Sequence, residues 1–276
     1  MSIWKKLFGI KSESELADEA INKIINRDKD RIPKTSIEME NMVKPLIRSA
    51  SKMILAPASK PTKDSQRTSH FGGQPYIEKG EQWPTNKENT SLDFVFQVFN
   101  SPELHMPDDI KLIQFYYDWE GSAWETDDDG WLVKIYNNLD TENQTAIEKP
   151  SGLSRSKYCK ISFIEVLTLP DWEGIDVHHP EASALSSKLN GEYPWEYYDD
   201  TVNKLIGEPD YQSQLGGYPQ WVQGESTPTN DNGNLMNLLF QIDTEDEAMV
   251  MWGDAGLVYV FYDPESGKVE FELQCH

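Results

Sequence analysis

Apolar and aromatic residues come in short runs separated by polar turns. Residues 92–99 read LDFVFQVF, 111–117 KLIQFYY, 131–136 WLVKIY, 235–242 LMNLLFQI, 257–262 LVYVFY and 269–274 VEFELQ. Each run has strand length and is rich in the β-branched and aromatic side chains that suit a pleated surface. Residues 49–56 and 159–169 add two more strand candidates. In the first, Ser51, Met53 and Leu55 point one way and Ile54 the other. A shorter run at 248–252 is expected to be a strand as well. Helical spacing appears in four places. Leu16, Ala20 and Ile24, widened by Ile21 and Ile25, predict a helix over 13–27. Residues 36–44, 181–189 and 195–206 predict three more, the first closed by Pro45.

The runs repeat in order. SHFGGQP at 69–75 matches SQLGGYP at 213–219, and 24 positions separate Gly73 from Gln97 and Gly217 from Gln241. LIQFYYD, ending at Asp118, matches LVYVFYD, ending at Asp263. Three phrases in one order at nearly constant spacing indicate an internal duplication. Strands this close together, joined by short turns, favour antiparallel pairing over βαβ units. The expected fold is α+β and β-dominated, with antiparallel sheets in two pseudo-symmetric halves and helices at the N-terminus. Expected boundaries are a helical segment at 1–47, a first half at 48–150 and a second at 151–276, the halves packed as one unit. The polar stretch 137–156 is the seam between them.

The phrases SHFGGQP, Trp83 with Pro84, DFVFQV and QFYYD, then SQLGGYPQWVQ, LLFQID and MWGDAGLVYVFYD, resemble the YwqG-like family of bacterial proteins. The resemblance runs from residue 48 to 276. It implies a β-rich duplicated fold and a soluble bacterial protein of unknown function. The family supplies no agreed catalytic residues, so it assigns none here. Some of its members look as though they belong to toxin-immunity gene clusters.

Charge narrows the partner classes. Net charge is −22. Residues 1–68 hold 14 basic and 9 acidic side chains, leaving 11 basic and 38 acidic over 69–276. A body this acidic repels nucleic-acid phosphates, so DNA and RNA are disfavoured, and it attracts a basic protein. Acidity also serves plain solubility. The N-terminal segment, basic and amphipathic, is expected to dock on the acidic body. Cys159 and Cys275 are too far apart for a CxxC site or a disulfide framework, which fits a reducing, cytoplasmic setting. No run of about 18 apolar residues predicts a membrane span.

Candidate chemistry is sparse. The Gly-Gly-x-Pro turns could cradle an anion but lack the GK[ST] ending of a phosphate loop, so tight backbone geometry accounts for them better. His70 stands where the second copy has Gln214, which suggests a shared hydrogen-bonding role rather than a general base. Gln97 and Gln241 are polar within apolar strands; each is expected to fasten its strand to the neighbouring turn. With Trp83 and Trp221, these four form the binding candidates. His178 and His179, near Asp171, Glu173, Asp176 and Glu181, are ligand types for a divalent metal, but the spacing matches no metal motif, and solvated loop residues explain them more simply. The triple aspartate 127–129 lacks the alternation of a calcium loop. Cys159, near Lys157 and Lys160, is read as a core thiol. No cofactor is implied.

Three functional readings follow. The first is a non-catalytic binding module, of immunity or antitoxin type, covering a basic partner. The second is a small-ligand or carbohydrate binder using an aromatic cleft between the halves; nine Trp and twelve Tyr supply the rings, although an aromatic core would use them equally well. The third is a metal-assisted hydrolase built on His178 and His179.

Overall fold

Ten strands form one antiparallel sheet, and their order states the duplication directly. The computed structural model describes residues 34–276 apart from 63, 154 and 210. The expected helix at 13–27 and the docking of the N-terminal segment lie outside the described residues. In chain order the long strands are β1 (Arg48–Leu55), β4 (Asp93–Phe99), β5 (Leu112–Tyr117), β6 (Trp131–Tyr136), β8 (Cys159–Thr168), β10 (Asn237–Ile242), β11 (Leu257–Tyr262) and β12 (Val269–Gln274). Two short ones lie within the repeated phrases, just before the paired glycines, β2 (His70–Phe71) and β9 (Gln214–Leu215); β3 (Ile77–Glu78) and β7 (Gln144–Thr145) pair separately.

The order across the sheet is β12-β11-β10-β9-β1-β8-β2-β4-β5-β6. It reads as two five-strand sets meeting at β1 and β8, which pair over eight residues from Arg48–Thr168 to Leu55–Ile161. Each set borrows its innermost strand. β1 precedes the first repeated phrase in sequence but lies against β9 of the second, and β8 lies against β2 of the first. The chain therefore crosses between halves twice.

The sheet curls until its ends nearly meet. The loop before β6 reaches β12: Leu273 donates its N–H to the Trp124 carbonyl at 2.9 Å and Phe271 donates to Thr126 Oγ1 at 2.7 Å. Trp131 stacks on Phe271 with centroids 5.0 Å apart. Inside, rings from the two halves interlock. Phe96 meets Phe240 edge-on at 5.0 Å, and Phe115 touches both Phe240 and Phe271. The interior between the halves is thus packed with aromatic side chains, each supplying a large apolar area to the core.

The two connections into the short strands differ, which breaks the symmetry. Between β1 and β2 the chain spends 14 residues; between β8 and β9 it inserts three helices. These are α2 (Trp172–His178), α3 (Pro180–Leu189) and α4 (Pro194–Ile206), joined by α1 (Ile37–Val43) from the N-terminal side. Met39, Val43, Leu169, Ile175, Tyr198 and Val202 form their shared core. Asp171 caps α2, Pro194 opens α4 and Gly207, at φ +87°, ends it. Two expectations are corrected. Residues 248–252 form a turn closed by a single bridge from Glu245 to Val250 rather than a strand. The segment bearing His178 and His179 is helical rather than an extended loop, because Asp171 satisfies the first-turn amides.

Candidate functional site

The sequence-chosen polar residues sit inside the sheet, one set in each half. His70, Gln97, Gln214 and Gln241 are all fully buried. His70 is in register with Gln97, and Gln214 with Gln241. Two strands, β1 and β8, separate the sets, so the structure does not bring them together. Gln97 donates through Nε2 to the carbonyls of Gln66 and Thr68, at 3.0 and 2.9 Å, and accepts at Oε1 from Tyr76 N at 2.8 Å. It therefore ties both sides of the Gly-Gly turn to β4. Gln241 does the same in its half, donating to the Gln212 carbonyl at 2.7 Å and accepting from Gln220 N at 3.0 Å. Gln214 holds its own turn through the carbonyls of Gly216 and Tyr218. His70 has no partner at Nε2, and burial pushes its imidazole down to about 4, so it is neutral near pH 7.

The two tryptophans occupy related places on the outer face. Trp83 packs edge-on against Tyr116 and donates Nε1 to the Leu92 carbonyl; Trp221 stacks on Phe261 and donates Nε1 to Glu225. Both are buried. The adjacent histidines diverge. His178 packs on the Tyr218 ring at 4.9 Å, and burial lowers its pKa. His179 caps α3 by accepting from Ala182 N and lies 3.2 Å from Glu181. Among the described residues, no group of three or more His, Cys, Asp or Glu side chains is placed to hold a metal ion. Cys159 is buried and Cys275 half-buried; both are free, and burial raises the Cys159 thiol. Asp128 and Asp129 receive backbone N–H groups from Trp124, Glu125 and Lys87.

A concavity lies where the helical insertion meets the sheet. Two adjoining cavities, of about 350 and 560 Å³, share Asp171, Asp199, Glu208, Pro209 and Gln220 as walls. The floor is apolar, from Ile164 and Val166 of β8 and Val202 and Ile206 of α4. Its described lining is acidic: Asp199 and Glu208 are exposed, Asp171 and Asp200 lie deeper, and Lys52 is the one base. Among the described lining residues none is Ser, Cys or His. Local chain chemistry explains the floor. Strand alternation leaves Ile164 half-exposed on the outer face of β8, and α4 leans Val202 and Ile206 over it without covering it.

Asp171 is the pivot. Its Oδ1 accepts from Gly174 N at 2.8 Å and its Oδ2 from Trp221 N at 2.6 Å, joining α2 to the second repeated phrase. Burial pushes its carboxyl up to about 7; the two amides pull the other way, and Glu225 and Glu173 add to the rise. Glu225 crowds the same corner, since a side chain at Gly174 would meet its Oε2 at 2.8 Å. Around it, Tyr198, Tyr211 and Tyr259 donate hydroxyls to the carbonyls of Pro170, Trp221 and Gln220. A cleft with oriented carboxylates over an apolar floor suits a cation on an aliphatic stem, as lysine and arginine side chains provide.

Sequence reasoning placed Asp171 beside the histidines and missed Asp199, Glu208, Gln220 and Lys52. The cleft draws on β1, β8, α4 and the stretch before β9, and no linear pattern joins these.

The architecture and cleft define a class: a duplicated, nearly closed antiparallel β protein with a helical insertion over one half. A family model described as Domain of unknown function (DUF1963) matches residues 69–269, and the chain belongs to that family. The match spans both repeats and the insertion. No curated protein matches the chain. Among the described residues, no helix is long and apolar enough to cross a membrane.

Proposed function

We propose that the protein is a non-catalytic binding module whose cleft receives a basic, partly apolar segment of a partner protein. One observation carries the reading: the exposed carboxylates of Asp199 and Glu208, with Asp171 and Asp200 lying deeper behind them, border an apolar floor and one lysine opposes them. The acidic body supports it, because a field of this sign speeds encounter with a basic surface. The resemblance to YwqG-like proteins fits a bacterial, cytoplasmic setting and an immunity or antitoxin role that neutralises a basic effector. The interior between the halves is filled by rings, which leaves the small-ligand reading without its cleft there.

The test compares tagged wild type with Asp199→Lys/Glu208→Lys. Both positions are exposed, so the variant is expected to fold. Wild type should recover a basic protein at about 50 mM salt and release it at about 500 mM, where the Debye length falls from about 14 to 4 Å. Equal recovery by the variant would remove the cleft from the account.

A further inference from the structure

One groove lacks the acidic lining of the cleft. It lies beside the second glycine turn, has a volume of about 420 Å³, and is lined by Arg48, Ser49, His105, Gly216, Gly217 and Asn237, with leucine and tyrosine walls. It has no carboxylate among its described lining residues, whereas four other cavities each present at least three. In a chain of net charge −22 that distinction selects the groove for a ligand of opposite preference.

Arg48 is held in place for such a role. Its guanidinium lies over the Tyr218 ring at 4.2 Å, and the ring is itself buried. Its backbone is fixed too: Thr168 Oγ1 donates to the Arg48 carbonyl at 3.0 Å and accepts from Tyr218 N at 3.2 Å. No carboxylate pairs with Arg48 among the described residues. Arg48 also hydrogen-bonds the Tyr218 side chain, and the remaining N–H groups of its planar guanidinium can serve a two-oxygen acceptor. The acidic groups nearest the groove lie outside its lining. Glu165 stands 3.6 Å from His105, and Asp109 and Asp263 act on Tyr262.

The glycines matter here differently in the two copies. In the first, the backbone of Ser156 and Lys157 crosses Gly72, and the Tyr158 ring lies over Gly73. In the second, the His105 carbonyl stands over Gly216, while Thr168 and the Ala50 methyl stand over Gly217. The first turn is sealed by a bulky ring; the second has open groove beside it. One duplicated turn thus gives two surroundings, and the second adjoins an arginine with no carboxylate partner among the described residues.

We propose that this groove is an anion site that takes the carboxylate or phosphate group of a small organic ligand, with Arg48 as the charged contact and Ser49 and Asn237 as polar ones. Its volume falls within the range of small-molecule sites. The site is separate from the acidic cleft, so either can fail without the other.

The test is an amide NMR titration of the full chain with inorganic phosphate and, separately, acetate. Saturable shifts of Gly216, Gly217 and Asn237, with Gly72 and Gly73 unmoved, are expected for one anion or both. A response to phosphate alone assigns the site to phosphate groups, and a response to acetate alone to carboxylates. Arg48→Gln, at an exposed position, should weaken binding roughly tenfold or more, and Arg48→Lys should weaken it less. No shift with either anion, shifts unchanged in Arg48→Gln, or equal movement of the first turn would overturn the proposal and leave an adventitious ion only.

Discussion

Replacing Gln97 by leucine separates a fastening role from a binding role. The side chain sits fully buried between β4 and the first glycine turn. It donates to two carbonyls, accepts from Tyr76 N, and also accepts from Gln114 Nε2 at 3.2 Å. Gln114 keeps a second acceptor, the Tyr76 carbonyl at 2.6 Å, so its amide is not stranded by the change. The Tyr76 N–H is stranded, and the carbonyls of Gln66 and Thr68 each lose a donor. One unsatisfied buried donor costs about 1–3 kcal/mol, and two weakened acceptors add about 1 kcal/mol together. Leucine returns some apolar burial. The expected loss is therefore about 2–4 kcal/mol in urea unfolding at neutral pH, with the denaturant slope unchanged. Gln241→Leu strands the Gln220 N–H and unpairs the Gln212 carbonyl, so about 2–3 kcal/mol is expected there. A loss below about 0.5 kcal/mol in both variants would refute the fastening argument and return these glutamines to the ligand reading.

Further expectations can be checked on the same samples. Gly72→Ala should cost about 3 kcal/mol or more by thermal unfolding, because φ is +57° and the new methyl would lie 2.4 Å from the Ser156 carbonyl; Gly80→Ala, with nothing within 4 Å, should cost about 1 kcal/mol. Phe240→Ala should remove about 3–5 kcal/mol while leaving one cooperative transition, since Phe240 joins both halves. Asp171 and Glu245 are both pushed up to about 7 mainly by burial. The folded state then holds these protons after the unfolded chain has released them. Their combined effect is a fall in stability as pH rises from about 4 to 7, by at most about 1.4 kcal/mol per pH unit for each group. Asp171→Asn should flatten that fall in a pH series of urea midpoints, and an unchanged slope would argue against a raised carboxyl there.

Much of the architecture was legible in the chain. The long strands and three of the helices fall close to their hydrophobic periods, and the duplication fixed the glycine turns. The surrounding topology was not readable. That β1 joins the second half and β8 the first depends on pairing partners, and a strand's own pattern does not name its neighbour. Residues 248–252 misled because Ala248, Val250 and Trp252 are buried as strand residues would be, yet they fold back through a turn. Helix α2 was hidden because a seven-residue helix carries barely two turns of pattern; its signal was the cap, Asp171 with Gly174 three positions on. Gln97 and Gln241 stood out as polar residues inside apolar runs, and His70 and Gln214 as counterparts in the two repeated phrases. The acidic cleft was missed because its carboxylates lie on unremarkable polar stretches and become a site only when α4 settles against β8.

The most direct test of the central claim is salt-dependent partner recovery by wild type beside Asp199→Lys/Glu208→Lys, with the recovered protein then titrated against both. The account predicts a basic partner bound by wild type at low salt, lost at high salt, and bound at least tenfold more weakly by the variant. A partner that binds both proteins equally, or no partner at either salt, would contradict it.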